Sequence, residues 1–256
     1  MLIHTWKQFG RKARPQKNLL AHTNKYPNPV FISGCQRSGG TMLAKIITSH
    51  NAITDFSWSK DAELDAATLL CGLMNVPSIG RSCFQTTYLN EQYFEFTQIT
   101  EPFKLVWLVR NPDSVVCSML YNWKRFALNE LFISCGQKLL DDKQRTKFDR
   151  WGIWSVKPIE RACLSYVAKV RQIESLSKAL PKDQLLVIEY ESLVQSSTST
   201  LKTICDFLEL PWTPEFGSEI NQKSLKKADR ISDGERAIIK DMCGRAYTQA
   251  KELITK

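Results

Sequence analysis

Eight consecutive residues carry the clearest chemistry in this 256-residue chain: Gly34-Cys35-Gln36-Arg37-Ser38-Gly39-Gly40-Thr41, with Met42 directly after them. Three glycines let the backbone approach a ligand closely, two hydroxyls can donate hydrogen bonds, and Arg37 brings a fixed positive charge. Val30-Phe31-Ile32 stands just before this stretch as a short apolar strand. Thr41 to Ile47 follows with helical apolar spacing. A turn between a strand and a helix gathers backbone N–H groups into an anion nest, and the helix start adds the positive end of its dipole. The chemistry expected there is the binding of phosphate or a related anion.

The spacing is close to that of a Walker A loop, but Gly40 stands where that loop carries its lysine, and Arg37 supplies the cation from within. Two other strand ends carry polar groups of the same kind. Lys104 to Val109 is a continuously apolar strand that ends at Arg110-Asn111-Pro112-Asp113. Gln184 to Ile188 is another, ending at Glu189-Tyr190-Glu191-Ser192. No CxxC pair or histidine cluster offers a metal site; the three histidines are His4, His22 and His50.

The elements that must position these residues follow from pattern. Helices are expected over Ala62–Leu73 with Asp61 as N-cap, from Pro112 to about Asn129, over Ile159–Leu180, over Thr200–Leu210 and from Asp233 to about Ile254, with a weaker one over Tyr88–Ile99. Residues 136–149 read as a charged surface loop. Strands separated by helices imply a single α/β domain whose central parallel sheet is flanked by helices, with ligands at the carboxyl ends of the strands. Residues 1–28 read as a basic N-terminal arm, with Lys7, Arg11, Lys12, Arg14 and Lys17, ahead of one domain over 29–256.

Composition narrows the partners. The chain has 35 Lys plus Arg against 26 Asp plus Glu, formally +9, which favours anionic ligands without choosing among them. Eight scattered cysteines with no disulfide spacing fit a reducing cytoplasm. There is no apolar run of membrane-spanning length and no leader pattern, which leaves peripheral membrane contact open. No nucleic-acid recognition motif accompanies the charge.

Gly34 to Thr41 resembles the 5′-phosphosulfate loop, G-x-x-[RK]-S-G-T-T, of sulfotransferases that use 3′-phosphoadenosine-5′-phosphosulfate (PAPS), with Gly40 in place of the common threonine. That resemblance implies a P-loop-like sulfotransferase fold. It also implies PAPS as cofactor, with 3′-phosphoadenosine-5′-phosphate (PAP) as product, no metal, and transfer of a sulfuryl group to a hydroxyl or amine. The acceptor would be a small molecule, a carbohydrate or a lipid, with no nucleic acid involved. It further implies that Arg37 contacts the 5′-phosphate and sulfuryl group, and that Arg110 and Ser118, eight positions later and about two helical turns on, hold the 3′-phosphate. Tyr190, in a segment similar to the family's Y-E-x-L, would lie near the adenine. Ser224 and Lys226, in a late basic stretch that lacks the family's Arg-Lys-Gly, would complete the site. The lysine that many relatives carry near Phe84-Gln85-Thr86-Thr87 is missing.

A general base is needed for the acceptor proton, and no family motif selects one here. Glu63 and Asp61, at the start of a helix that could face the cleft, come first; helix-start acids also serve the dipole alone. Trp58, Tyr88, Trp107 and Trp123 are candidate walls for the acceptor. Two alternatives stay open: a P-loop kinase or NTPase with a lysine-less loop, and a basic nucleic-acid-binding module.

Overall fold

The structure is a computed structural model that describes residues 3–77, 80–217, 220 and 228–254. Helix α1 (Trp6–Ala13), capped by the Thr5 side chain, precedes strand β1 (Val30–Gly34), and helix α2 (Gly40–Thr48) leaves the glycine loop. Helix α3 (Ala62–Leu70) and the short strand β2 (Cys83–Gln85) follow, and 3₁₀ turns occupy Thr87–Leu89 and Tyr93–Gln98. Strand β3 (Lys104–Val109) feeds α4 (Pro112–Tyr121), then α5 (Arg125–Ser134), α6 (Asp142–Trp151), α7 (Pro158–Val170) and α8 (Gln172–Ala179). Strand β4 (Leu185–Glu189), α9 (Tyr190–Gln195), α10 (Ser197–Leu208) and α11 (Asp233–Glu252) complete the chain.

Among the described residues the sheet is four-stranded and parallel, in the order β2-β1-β3-β4. From β1 the chain moves outward to β2, then crosses back over β1 to β3 and on to β4. The order therefore reverses at β1, and the crevice between the carboxyl ends of β1 and β3 is where such sheets bind ligands.

Alternation along the strands builds two cores. Phe31, Leu105, Trp107, Val109, Leu185 and Val187 point to the face covered by α3, α4, α7 and α11. Val30, Ile32, Val106, Leu108, Leu186 and Ile188 point to the face covered by α2 and α10. Burial on both faces explains why β3 and β4 read as unbroken apolar runs. In the first stretch of the chain, Phe9 and Ala13 of α1 pack on Leu64, Ala67 and Cys71 of and beside α3.

Four expectations change. The helix expected from Pro112 to Asn129 stops at Tyr121 and restarts at Arg125; Arg230 sits over the Tyr121 ring and donates to Asn122 at the turn. The helix expected over Ile159–Leu180 is interrupted at Arg171. There the Glu174 N–H turns to the Arg171 carbonyl, while Gln172 bonds to the carbonyls of Ala168 and Asn90. Residues 136–149, read as loop, hold a 3₁₀ turn at Gly136–Leu139 and most of α6, which is started by a reciprocal capping box between Asp141 and Gln144. The Tyr88–Ile99 segment is 3₁₀ rather than α-helical.

Candidate active site

The glycine loop leaves β1 through Gly34, whose φ is +136°. A Cβ there would lie 2.5 Å from the Leu108 carbonyl oxygen on β3, so only glycine lets β1 and β3 pair this closely at their ends. The loop closes with a Ser38 N–H bond to the Cys35 carbonyl, Arg37 adopts a left-handed φ of +71°, and Gly39 starts α2 at φ +100°. A Cβ on Gly39 would stand 2.2 Å from the Tyr190 ring. Ser38 is 1% exposed, and its hydroxyl has no hydrogen-bond partner among the described residues. A buried, unsatisfied donor among loop amides at a helix start is what an anion site presents before its ligand arrives.

Arg110, at the end of β3, closes the other side. Its guanidinium lies 4.1 Å over the Tyr190 ring and donates from Nη1 to the Arg37 carbonyl at 3.0 Å. Tyr166 of α7 donates to the Arg110 carbonyl at 2.8 Å and fixes the strand end. Arg37 reaches across and donates from Nε to the Ser118 hydroxyl on α4 at 2.9 Å. Burial pulls the pKa of both guanidinium groups down; at Arg110, Tyr190 and Glu191 oppose that effect and Arg37 adds to it. Arginine nevertheless stays charged at any ordinary pH. Two cations held this close, with Arg37 in no ion pair among the described residues, favour an anion between them.

The remaining sequence candidates fall in several places. Cys35 is buried with its thiol pushed up to about 12, chiefly by burial, so it offers backbone only. Gln36 turns away from the crevice and donates to the Thr87 carbonyl at 2.9 Å and to Asn90 at 3.0 Å. Gly40 opens α2 beside Gln85 and Thr87; Thr41 is exposed at the helix start, and Met42 packs against the second core. Ser224 and Lys226 lie outside the described residues.

The two acids at the start of α3 separate by their partners. Asp61 caps the helix, accepting from the Leu64 N–H at 3.1 Å, and takes the Trp6 indole N–H at 2.8 Å. Glu63 turns its carboxylate inward, accepting from the Gln85 amide at 3.2 Å and from the Thr87 hydroxyl. Burial pushes Glu63 up to about 7; Asp61 reinforces that, and the Thr87 hydrogen bond and the Lys169 charge oppose it. A carboxyl poised near neutrality beside the anion loop is suited to take a proton.

Of the aromatic residues considered for the acceptor, Trp107 is fully buried in the sheet core against Tyr93, which removes it from any pocket wall. Tyr88 packs on Trp6 and Phe9, Trp123 lies against the main core, and Trp58 is exposed. A cleft beside Gln85 is instead lined by Thr41, Lys45, Asp55, Phe56 and Ala62.

Sequence reasoning missed Lys169. It is fully buried on α7 and donates at 2.6 Å both to the Thr87 carbonyl and to the Tyr93 hydroxyl. Its signal was present: a lysine three and seven residues after the buried Tyr166 and Ala162 stands on the apolar stripe of its helix.

The family model described as Sulfotransferase domain matches residues 27–231. Among solved structures, the sulfotransferase domain of the Synechococcus PCC 7002 olefin synthase is similar at 17% identity, with a TM-score of 0.55 over 89% of this chain and 94% of that one. A mouse sulfotransferase, SULT7A1, complexed with PAP, is similar at 15% identity, TM-score 0.54, over 93% of each chain. A sulfotransferase from Alicyclobacillus acidocaldarius gives 14% identity and TM-score 0.53 over 89% of this chain and 95% of that one. No curated protein matches the chain. The likeness to the solved structures is one of fold, and the family match covers the glycine loop, Arg110, Ser118 and Tyr190 together: the chain belongs to the sulfotransferase family.

Proposed function

We propose that this protein transfers a sulfuryl group from PAPS to a hydroxyl or amine on a small-molecule, carbohydrate or lipid acceptor. The observation that carries the reading is the meeting of Arg37, Ser38, Arg110 and Ser118 at the reversal point of the sheet, with the Ser38 hydroxyl buried and without a partner among the described residues. The residues fit such a nucleotide: two guanidinium groups, two hydroxyls and the loop amides match its two phosphate-bearing ends. The mouse relative crystallised with PAP supports the same assignment.

The bound nucleotide supplies an activated sulfuryl group. The loop amides, Arg37 and Ser38 stabilise negative charge at the 5′ end, as preorganised donors do in related group transfers. Arg110, held over Tyr190, and Ser118 orient the 3′ end. Tyr190 sits within reach of both the loop and Arg110 and shapes the space between them. Glu63, held by Gln85 and Thr87, takes the acceptor proton. Asp61, already committed to the helix cap and to Trp6, orients α3.

Among the described residues no cluster of ligating side chains forms a metal site, and no helix is long and apolar enough to cross a membrane. All eight cysteines are buried, which supports a reducing, cytoplasmic setting; a peripheral membrane contact would suit a lipid acceptor.

Calorimetric titration with PAP in the absence of magnesium, beside ATP and beside an Arg110→Ala variant, tests the proposal. Micromolar binding of PAP that ATP does not match and that the variant loses supports it. A preference for magnesium-ATP would instead favour the kinase alternative.

A further inference from the structure

We infer that Lys169 is a positioning residue of this site: its buried ammonium is the counter-charge that holds Thr87, and through Thr87 the Glu63 carboxylate, against the anion loop. This rests on the reading of Glu63 as the base given above.

The hydrogen bonds identify Lys169 as charged. The Thr87 carbonyl and the Tyr93 hydroxyl each accept from Nζ at 2.6 Å, and Asn90 Oδ1 lies at 3.5 Å. Asn90 presents its oxygen there, because the same atom accepts from the Gln36 amide at 3.0 Å. The Tyr93 proton is directed to carbonyls, that of Gly34 at 3.1 Å or that of Thr87 at 3.3 Å, so its oxygen is left to accept. Three acceptors thus face the three protons of an ammonium. No carboxylate lies within ion-pair distance of it among the described residues. A fully buried lysine without a contacting anion is costly to keep, which makes a purely structural role a poor explanation.

The contacts of Lys169 lead to the site. Thr87, whose carbonyl it holds, gives its own hydroxyl to Glu63. Gln36 of the anion loop bonds to the same Thr87 carbonyl and the same Asn90 oxygen. Tyr93, also held by Lys169, bonds to Gly34, where the loop begins. One cation therefore ties the start of the loop, its Gln36 and the segment carrying Thr87 into one unit, with Glu63 one residue away.

The groups around the pair are few. Around Glu63 stand Asp61 at the cap of α3, Lys169 and the Tyr88 backbone. Around Lys169 stand Cys35 of the loop, Cys135 after α5, Tyr93 and Glu63. Burial brings Lys169 down to about 8 and Glu63 up to about 7, and each opposes that effect at the other.

Carbon-detected NMR titration of protein labelled at glutamate carboxyls, with Glu63 assigned by its loss in Glu63→Gln, reads the coupling without any acceptor. In Lys169→Met the Glu63 midpoint should rise by roughly one pH unit, the lower end of the effect of an opposite charge across a buried gap, and Lys169→Arg should return it toward the wild-type value. Coupling is reciprocal, so Glu63→Gln should lower the Lys169 midpoint, read at Nζ, by the same amount. A folded Lys169→Met with an unmoved Glu63 midpoint overturns the inference. If Lys169→Met does not fold, an unmoved Lys169 midpoint in Glu63→Gln does so. PAP binding measured on the same wild-type sample separates the two ideas. Coupling without PAP binding refutes the sulfotransferase reading alone, and PAP binding without coupling refutes the role of Lys169 alone.

Discussion

Arg37 and Ser118, 81 residues apart in sequence, are joined by a 2.9 Å hydrogen bond from the guanidinium Nε to the serine hydroxyl. The bond links the loop after β1 to the second turn of α4, so the two ends of the crevice share one polar network. Arg37 pays for this reach with a left-handed backbone, a conformation uncommon for a residue with a side chain. Ser118→Ala should weaken PAP binding tenfold or more, the order expected when a donor to a charged group is lost, with little change in thermal stability. Calorimetry beside a melting curve checks both parts.

Gly39 permits no side chain. Its φ of +100° is already strained for any other residue, and a Cβ would overlap the Tyr190 ring. Gly39→Ala should cost about 1–3 kcal/mol of stability and abolish PAP binding. Tyr190→Ala in the same chain relieves the overlap but not the backbone strain, so the double variant should recover only part of the stability in urea denaturation.

Asp61 and Glu63 should part company under mutation. Asp61→Ala removes a helix cap and the Trp6 contact, and should cost on the order of 1 kcal/mol while PAP binding persists. Glu63→Gln should leave PAP binding intact and, once an acceptor is found, lower turnover by 10²-fold or more, the typical contribution of a general base. Loss of turnover in Asp61→Asn with Glu63→Gln unaffected would reverse the assignment.

Stability should fall as pH rises from about 5 to 7. Glu63 and Glu95 are both pushed up to about 7 by burial, above the roughly 4.3 of an unfolded glutamate. Between those values the folded chain holds more protons than the unfolded one, and stability drops with pH wherever that is so. Each group contributes a slope of at most about 1.4 kcal/mol per pH unit. Urea midpoints at pH 5, 6 and 7 should decline in the wild type and less steeply in Glu63→Gln.

The parts of the fold that could be read in the sequence are those where a single local rule governs. Lys104–Val109 is buried on both faces and so is apolar without alternation, and its predicted bounds match β3. The glycine loop announces itself because glycine is demanded by backbone geometry at Gly34 and Gly39. Strand β2 went unseen because three residues, Cys83–Gln85, take their conformation from pairing with β1 rather than from their own preference. Helix α6 was hidden by its charge, since none of its residues is fully buried; only Asp141 and Gln144 signalled it. Lys169 was missed for a different reason: its meaning lies in Thr87, Asn90 and Tyr93, which stand about 80 positions earlier and meet it only when the sheet has formed.

All eight thiols are buried, and they are spread over both cores, the glycine loop, α4 and the helices behind it. Cys83, 7% exposed, lines the cleft beside Gln85, and the other seven are closed to a reagent while the native packing holds. The rate at which an alkylating agent modifies each of those seven is therefore a clock for the opening of the element that covers it. Cys205 would time the α2–α10 side, and Cys163 and Cys243 the α7–α11 side. The chain carries its own set of reporters on which half of the molecule breathes first, with no label added.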